Sequence, residues 1–349
     1  MSPARLVIVL SSYNGQKFIA EQIDSIRRQT LSDWTLVVRD DGSSDDSVKV
    51  IESLAAADAR IELLRDGKGN VGPAASFGLL LEHAQKIGAG YVALADQDDV
   101  WSSDKLANQL GLLRRRESVL GVAVPLLVHS DLTVVGEDLQ VIHRSFMAFQ
   151  KLRPEPGWPL GTLLIQNFVT GCTTVTNRAL LNVAVPVPAV IMHDWWLALC
   201  AAALGEVVYL PGATVLYRQH GRNVQGSQGW RSAVNLTLRR PLAWWSASAL
   251  MLQRAVRQAD ELRLRIERGP STPRSRSSLQ VLEEFCSVFA TGGPLARLSA
   301  VYRHRIRPRT LLPYPVPFYL RVVLWRLQAA SPATRPGSDT DSTTKRAPA

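Results

Sequence analysis

Across residues 1–110 the chain repeats one unit, a short apolar run, a polar loop and an amphipathic stretch, and this alternation restricts its fold more than any other feature. Leu6–Leu10 reads as a buried strand, Ser11–Gln16 as a loop, and Phe18, Ile19, Ile23 and Ile26 as the apolar stripe of a helix ending near Gln29. The unit returns with the strand Trp34–Val38, the loop Asp40–Asp46 and a helix carrying Val48, Ile51 and Leu54. Ile61–Leu64 is a third strand, Ala74–Ile87 a third helix and Tyr91–Leu94 a fourth strand. Near-continuously apolar strands separated by helices imply a parallel sheet covered on both faces. Ligands of such sheets lie beyond the carboxyl ends of the strands. Ser11-Ser12-Tyr13-Asn14, Asp40–Asp45, Asn70-Val71-Gly72 and Asp96–Asp99 all fall there, and are expected to converge on one crevice.

The run Asp96-Gln97-Asp98-Asp99 sets three carboxylates where a buried strand opens into a loop. Like charges so close repel and resist desolvation, and a divalent cation with oxygen ligands is the usual relief. A metal–diphosphate site is one reading. A solvated acidic turn, with the next helix capped at Ser102 or Ser103, is the other.

Later segments keep the α/β character. Val119–Val128 is expected to be a strand region, Thr170–Val175 a strand, Arg178–Val183 a helix and Glu206–Leu210 a strand, while His193-Asp194-Trp195-Trp196 opens a helix over Leu197–Leu204. Residues 140–165, rich in Pro and Gly, read as a lid or acceptor loop. Beyond about residue 230 the pattern becomes long Arg-studded helices, and residues 331–349 read as a disordered tail.

Charge follows the same division. Up to residue 229 the chain holds 20 basic and 23 acidic residues, and from 230 onward 20 and 7, so the whole formal excess of +10 is C-terminal. Such a segment seeks an anionic surface, membrane phospholipid or nucleic acid. Its aromatics lie within apolar runs and form no recognisable nucleic-acid module, which disfavours the second. Prolines and arginines interrupt its apolar stretches before the roughly 20 residues a transmembrane span needs. The run after Arg5 is too short for a signal-peptide core, and Cys172, Cys200 and Cys286 are too scattered for a disulfide framework or a zinc site, so buried, reduced thiols in a cytosolic protein are expected.

Taken together, Ser11-Ser12-Tyr13-Asn14-Gly15, Asp40-Asp41-Gly42-Ser43-Ser44-Asp45, Asn70-Val71-Gly72-Pro73, Asp96-Gln97-Asp98-Asp99, Thr170-Gly171-Cys172 and His193-Asp194-Trp195-Trp196 resemble, in order and spacing, a family 2 glycosyltransferase over residues 4–225. The strings Asp96-Gln97-Asp98-Asp99-Val100-Trp101, His193–Trp196 and Tyr217-Arg218-Gln219-His220 are similar to the bacterial rhamnosyltransferase-like branch. The resemblance implies an α/β GT-A fold, a Rossmann-like, mostly parallel sheet with helices on both faces, as a catalytic domain over 1–229. A basic helical extension over 230–330 with expected membrane contact, and the tail 331–349, would follow it.

It also implies an inverting, metal-dependent transferase that moves a sugar, rhamnose from dTDP-rhamnose, onto a lipid-linked glycan in cell-surface polysaccharide synthesis. The enzyme would use Mg2+ or Mn2+ and lie on the inner face of the plasma membrane, with oligomerisation left open. Residue by residue, Asp98 would be the metal ligand and His220 would close the metal site. Asp96 would face the ribose or the metal's outer shell, and Asp99 a metal-bound water or a turn cap. Asp41 would accept from the base imide, with Ser11 and Tyr13 lining the base pocket and Asp40 bracing its own loop. Asp194 would be the catalytic base or the cap of its helix. Arg218 and Arg222 would contact the diphosphate, and Trp101, Trp195 and Trp196 would shape the sugar sites or pack in the core. The rival readings are a catalytically silent scaffold of the same fold and a basic nucleic-acid-binding protein.

Overall fold

A computed structural model describes residues 5–153, 157–220, 241–309 and 315–325. In chain order the elements are β1 (Leu6–Ser12), α1 (Ile19–Arg27), β2 (Thr35–Asp40), α2 (Ser47–Ala57), β3 (Ile61–Leu63), α3 (Pro73–Lys86), β4 (Tyr91–Asp96), β5 (Val100–Trp101), α4 (Lys105–Leu120), β6 (Leu126–Val135) and β7 (Val141–His143). They continue with α5 (Phe146–Phe149), α6 (Leu160–Leu163), β8 (Val175–Asn177), α7 (Arg178–Ala184), α8 (His193–Leu204) and β9 (Glu206–Arg218). The C-terminal helices are α9 (Pro241–Glu267), α10 (Pro273–Ala290), α11 (Pro294–Arg303) and α12 (Pro315–Val323).

The strands form one sheet in the order β3-β2-β1-β4-β8-β6-β9-β5, with β7 on β6. The half made by β3, β2, β1 and β4 is parallel, as the repeating unit requires. β8 runs antiparallel to β4 and β6, and β9 pairs parallel with β6 and antiparallel with β5. Alternation along the central strands sends Val7, Val9, Val92 and Leu94 to one face against α3, α7 and α8, and Leu6, Ile8, Leu10, Tyr91 and Ala93 to the other against α1 and α4. Covering both faces explains why these strands read as continuous apolar runs.

Three local expectations change. α4 continues to Leu120, so Val119 ends a helix with its side chain exposed and the strand begins only at Leu126. Gly171–Thr173 is a 3-10 turn, and extended structure there is confined to Val175–Asn177. Val100-Trp101 is a strand on β9, and Ser102 donates to Thr214 O instead of capping α4.

The C-terminal helices share the core of the preceding domain: Leu262 of α9, Leu282, Phe285 and Phe289 of α10, Val301 of α11 and Val322 of α12 join the cluster that holds α8. Several of their arginines work inward. Arg274 donates to Ala202 O and Gly205 O at the end of α8, Arg265 to Val183 O and Pro186 O, and Arg297 to Val322 O and Trp325 O. These carbonyls lie at or beyond helix ends, where intrahelical donors run out. Part of the basic excess is therefore structural. Among the described residues no helix is long and apolar enough to cross a membrane. Arg222 and the tail 331–349 lie outside the described residues.

Candidate active site

Strand register brings the first loops together. Ser11 on β1 lies level with Arg39 on β2 and Asp96 on β4, so the chain leaves all three strands at one height. The side chains beyond that line enclose a cavity of about 370 Å3, whose wall includes Ser11, Tyr13, Asp41, Asp96, Asp98 and Asp194. Six of the residues named from sequence thus meet on one cavity, from three separate strand-end loops and one helix.

Each loop is braced by a specific side chain. Asp40 accepts from Gly42 N at 3.1 Å, Ser43 N at 2.8 Å and Ser43 Oγ at 2.5 Å, closing its own turn, with Gly42 at φ 81°. A Cβ on Gly42 would approach Asn70 N to 2.9 Å. Asp41 accepts from Arg39 Nη1 at 2.5 Å and from Val71 N and Gly72 N at 2.9 Å each, tying the second loop to the third. Arg39 is completely buried and also donates to Asp66, Ser76 Oγ, Lys68 O and Gly69 O. An arginine inside a strand gives no sequence signal beyond its interruption of the apolar run. Gln97 bridges the first and fourth loops: its Oε1 accepts from Ser12 Oγ and Tyr13 N, and its Nε2 donates to Tyr13 O. A Cβ on Gly15 would lie 2.2 Å from Gln97 Oε1, so that bridge needs glycine there.

The acidic run is divided by the fold. Asp98 Oδ2 sits 2.7 Å from His220 Nε2, across 122 residues of sequence. Asp99 points inward, fully buried, with Oδ1 accepting from Arg218 N and Oδ2 without a hydrogen-bond partner. Burial, and then the charges of Asp98 and Asp96, push the Asp99 carboxyl well above its ordinary range. Asp96 is pushed up to about 7 by burial first, then by Asp98 and Asp194. Below the cluster Lys105 is buried against the Trp101 ring, 3.9 Å from its centroid, and burial lowers its ammonium to about 7.

Opposite the acidic loop, Asp194 occupies the first turn of α8. Its Oδ2 accepts from Gly171 N at 3.0 Å, and its Oδ1 from Trp195 N at 2.6 Å and Asn167 Nδ2 at 3.2 Å. A carboxylate at a helix start is expected to be held low. Here burial outweighs those amide donors and lifts it to about 6. Met192, not Asp194, is the cap residue of the helix.

Four sequence expectations do not survive placement. Trp195 is buried and donates Nε1 to Leu163 O, Trp196 is completely buried and donates to Ala184 O, and Trp101 is buried over Lys105; none lines the cavity. α8 is buried along almost its whole length, and its first residues, His193 and Asp194, are the ones that reach the cavity wall. Arg218 is 2% exposed, with its guanidinium on Asp98 O, Glu137 O and Glu21 Oε2, so it clamps the loops behind the site instead of meeting a diphosphate.

The donor set suits a hard divalent ion. Asp96 and Asp98 present carboxylates to the cavity, Asp98 is paired with the His220 imidazole, and the buried Asp99 Oδ2 lacks a hydrogen-bond partner. Asp96, Asp99 and Cys172 also bring ligand atoms within 4.8 Å of one another. Burial and the two carboxylates push the Cys172 thiol well above its ordinary range, and a soft sulfur donor is a poorer match than carboxylate for a hard ion.

Comparison with known proteins agrees with this architecture. Residues 7–154 match the family described as glycosyl transferase family 2. Over 177 residues the chain is 30% identical to an Escherichia coli protein, "UDP-Glc:alpha-D-GlcNAc-diphosphoundecaprenol beta-1,3-glucosyltransferase WfgD", covering 50% of this chain and 61% of that one. It is 27% identical over 228 residues to an uncharacterised glycosyltransferase of Nostoc, covering 63% and 66%. The chain thus spans just under two thirds of the length of these curated relatives. Among solved structures, the Pyrobaculum calidifontis mannosyltransferase PcManGT in complex with GDP-Man and Mn2+ superposes with a TM-score of 0.50 at 17% identity, over 86% of this chain and 74% of that one. S. aureus TarS 1-349 in complex with UDP-GlcNAc gives 0.50 at 14% identity, over 86% and 80%. The family match over residues 7–154, the parallel half-sheet and the loops meeting at its carboxyl edge concur: the chain carries a region similar to glycosyl transferase family 2 and has the GT-A fold.

Proposed function

We propose that the chain transfers a sugar from a nucleotide-diphosphate donor bound in the crevice to a hydroxyl of a glycan acceptor, with inversion at the anomeric carbon. The observation that carries this reading is Asp194, a buried carboxylate at about pKa 6 on the wall of the cavity that also holds Asp41, Asp96 and Asp98. Such a group is ionised at neutral pH and close enough to neutrality to accept a proton during reaction. Asp194 takes the proton of the acceptor O–H while that oxygen bonds the anomeric carbon. The bond from this carbon to the diphosphate oxygen breaks on the opposite side, and its electron pair leaves with the nucleoside diphosphate.

Asp41 accepts the imide N–H of the base through the lone-pair capacity left on Oδ2, with Ser11 and Tyr13 beside it. Asp98 and His220 would hold Mg2+ or Mn2+, with Asp96 on the nucleotide side. Bound there, the ion supplies Lewis-acid neutralisation of the diphosphate charge. The rhamnosyltransferase-like strings support dTDP-rhamnose as donor, and the name of the E. coli relative supports a lipid-linked acceptor in surface polysaccharide synthesis. The basic C-terminal helices, with Leu295, Tyr302, Leu320 and Leu324 exposed, support peripheral contact with the anionic inner face of the membrane.

Thermal-shift and transfer measurements with dTDP-rhamnose and UDP-glucose, each with Mg2+ and Mn2+, test the reading. Stabilisation by a nucleotide sugar that depends on the ion is expected; no stabilisation by any nucleoside diphosphate would overturn it. For the membrane contact, the full chain is expected to float with phosphatidylglycerol vesicles and not with neutral phosphatidylcholine ones, and equal flotation would sink it.

A further inference from the structure

His193 precedes the proposed base, and its position asks for a partner the protein does not supply. The residue is 3% exposed and forms part of the crevice wall beside Asp194, Thr170 and Gly171. Its ring stacks on Phe77, with centroids 3.9 Å apart and planes 20° from parallel. Both ring nitrogens are buried and neither makes a hydrogen bond. A Cβ on Gly171 would come within 3.1 Å of Nε2, so the glycine keeps that side of the ring open.

An imidazole with two unpaired nitrogens is a poor choice for packing alone. A buried polar atom without a partner destabilises the fold, and phenylalanine would fill the same space without that cost. Burial holds the ring neutral, with its pKa lowered to about 3, so one nitrogen donates and the other accepts throughout the neutral range. A hydroxyl group, itself both donor and acceptor, can pair with either nitrogen.

Building on the proposed transferase reading, we infer that His193 is a sugar-recognition residue, one of whose unpartnered ring nitrogens binds a hydroxyl of the sugar held in the crevice. It is a specificity element next to the base, separate from Asp194, which takes the proton, and from the base-side residues Asp41 and Ser11. Sites built to pair a hydroxyl reject analogues lacking it far more strongly than apolar pockets reject an extra group.

The experiment compares wild type with His193→Phe, which keeps the stack on Phe77, and His193→Gln, which restores a donor and an acceptor. UDP, dTDP, UDP-glucose and dTDP-rhamnose are titrated calorimetrically with Mn2+, and acceptor KM and ligand-free Tm are measured in parallel. Expected for His193→Phe are an unchanged or raised ligand-free Tm, unchanged affinity for the nucleoside diphosphate, and a loss on the order of 10- to 100-fold for the sugar. The loss falls on nucleotide-sugar affinity if the hydroxyl belongs to the donor, and on acceptor KM if it belongs to the acceptor. His193→Gln should recover part of it. Wild-type nucleotide-sugar affinity and acceptor KM in a folded His193→Phe would overturn the inference. So would a loss of nucleoside-diphosphate affinity equal to the loss for the nucleotide sugar. Should His193→Phe fail to fold, a folded His193→Gln with affinities reduced equally for diphosphate and nucleotide sugar would overturn it as well. Failure of wild type to bind any nucleoside diphosphate would remove the transferase reading itself, and this inference with it.

Discussion

Replacing Asp194 with asparagine separates the roles of charge and shape at the proposed base. The folded protein lifts this carboxyl from an ordinary 3.8 to about 6. Between those values the native state binds more protons than the unfolded chain, so stability falls as pH rises through that window and stays reduced above it. A shift of about two units corresponds to about 3 kcal/mol of penalty at pH 7.5. Asparagine removes the charge but not every donor: Oδ1 and Oδ2 both accept backbone amides, from Trp195 and Gly171, and the new NH2 must face one of them. That mismatch returns about 1–2 kcal/mol. The expected outcome is a protein more stable than wild type by about 1–2 kcal/mol at pH 7.5, with the gain absent or reversed at pH 4, and with transfer abolished. Urea unfolding at the two pH values reads the first part. The pH profile of wild-type kcat/KM reads the second, with a drop of about tenfold at pH 5 from its plateau. A destabilised D194N at pH 7.5, or a wild-type profile flat down to pH 4.5, would refute the reasoning that burial sets this carboxyl.

Other consequences follow from single contacts. Arg39→Met leaves Asp41 and Asp66 without their buried counter-charge; a loss of about 3–5 kcal/mol in chemical denaturation is expected, with nucleotide binding weakened in whatever fraction stays folded. Asp98→Asn and His220→Ala should each reduce Mn2+-dependent affinity for nucleoside diphosphate, on the order of 100-fold for the aspartate, while leaving metal-free binding unchanged; undiminished Mn2+-dependent affinity and transfer by D98N would remove Asp98 from the metal site. In Gly205→Ala the new methyl would sit 1.8 Å from Pro125 O, so the α8–β9 junction must shift, and Tm should fall by an amount equivalent to about 1–3 kcal/mol; an unchanged Tm would show the junction is soft.

Much of this protein is determined by its sequence alone. Period and loop chemistry suffice for the four parallel strands, because a strand buried on both faces must be apolar throughout and a loop at its carboxyl end is free to be polar. The same logic placed Asp41, Asp96 and Asp98 on one crevice, and the family resemblance added Asp194. Only the tertiary structure decided what each side chain touches. Trp195, Trp196 and Arg218 look exposed in a motif but are consumed by the core and by loop carbonyls. Arg39 and Gln97 look incidental yet brace four loops, through partners up to 85 residues away. The pKa of Asp194 is a balance between burial and local amides, and burial is a property of the assembled chain. His193 completes the contrast: a sequence names the residue, but that both its nitrogens lie buried without partners beside the base is visible only once α3, α8 and the Gly171 turn have closed around it.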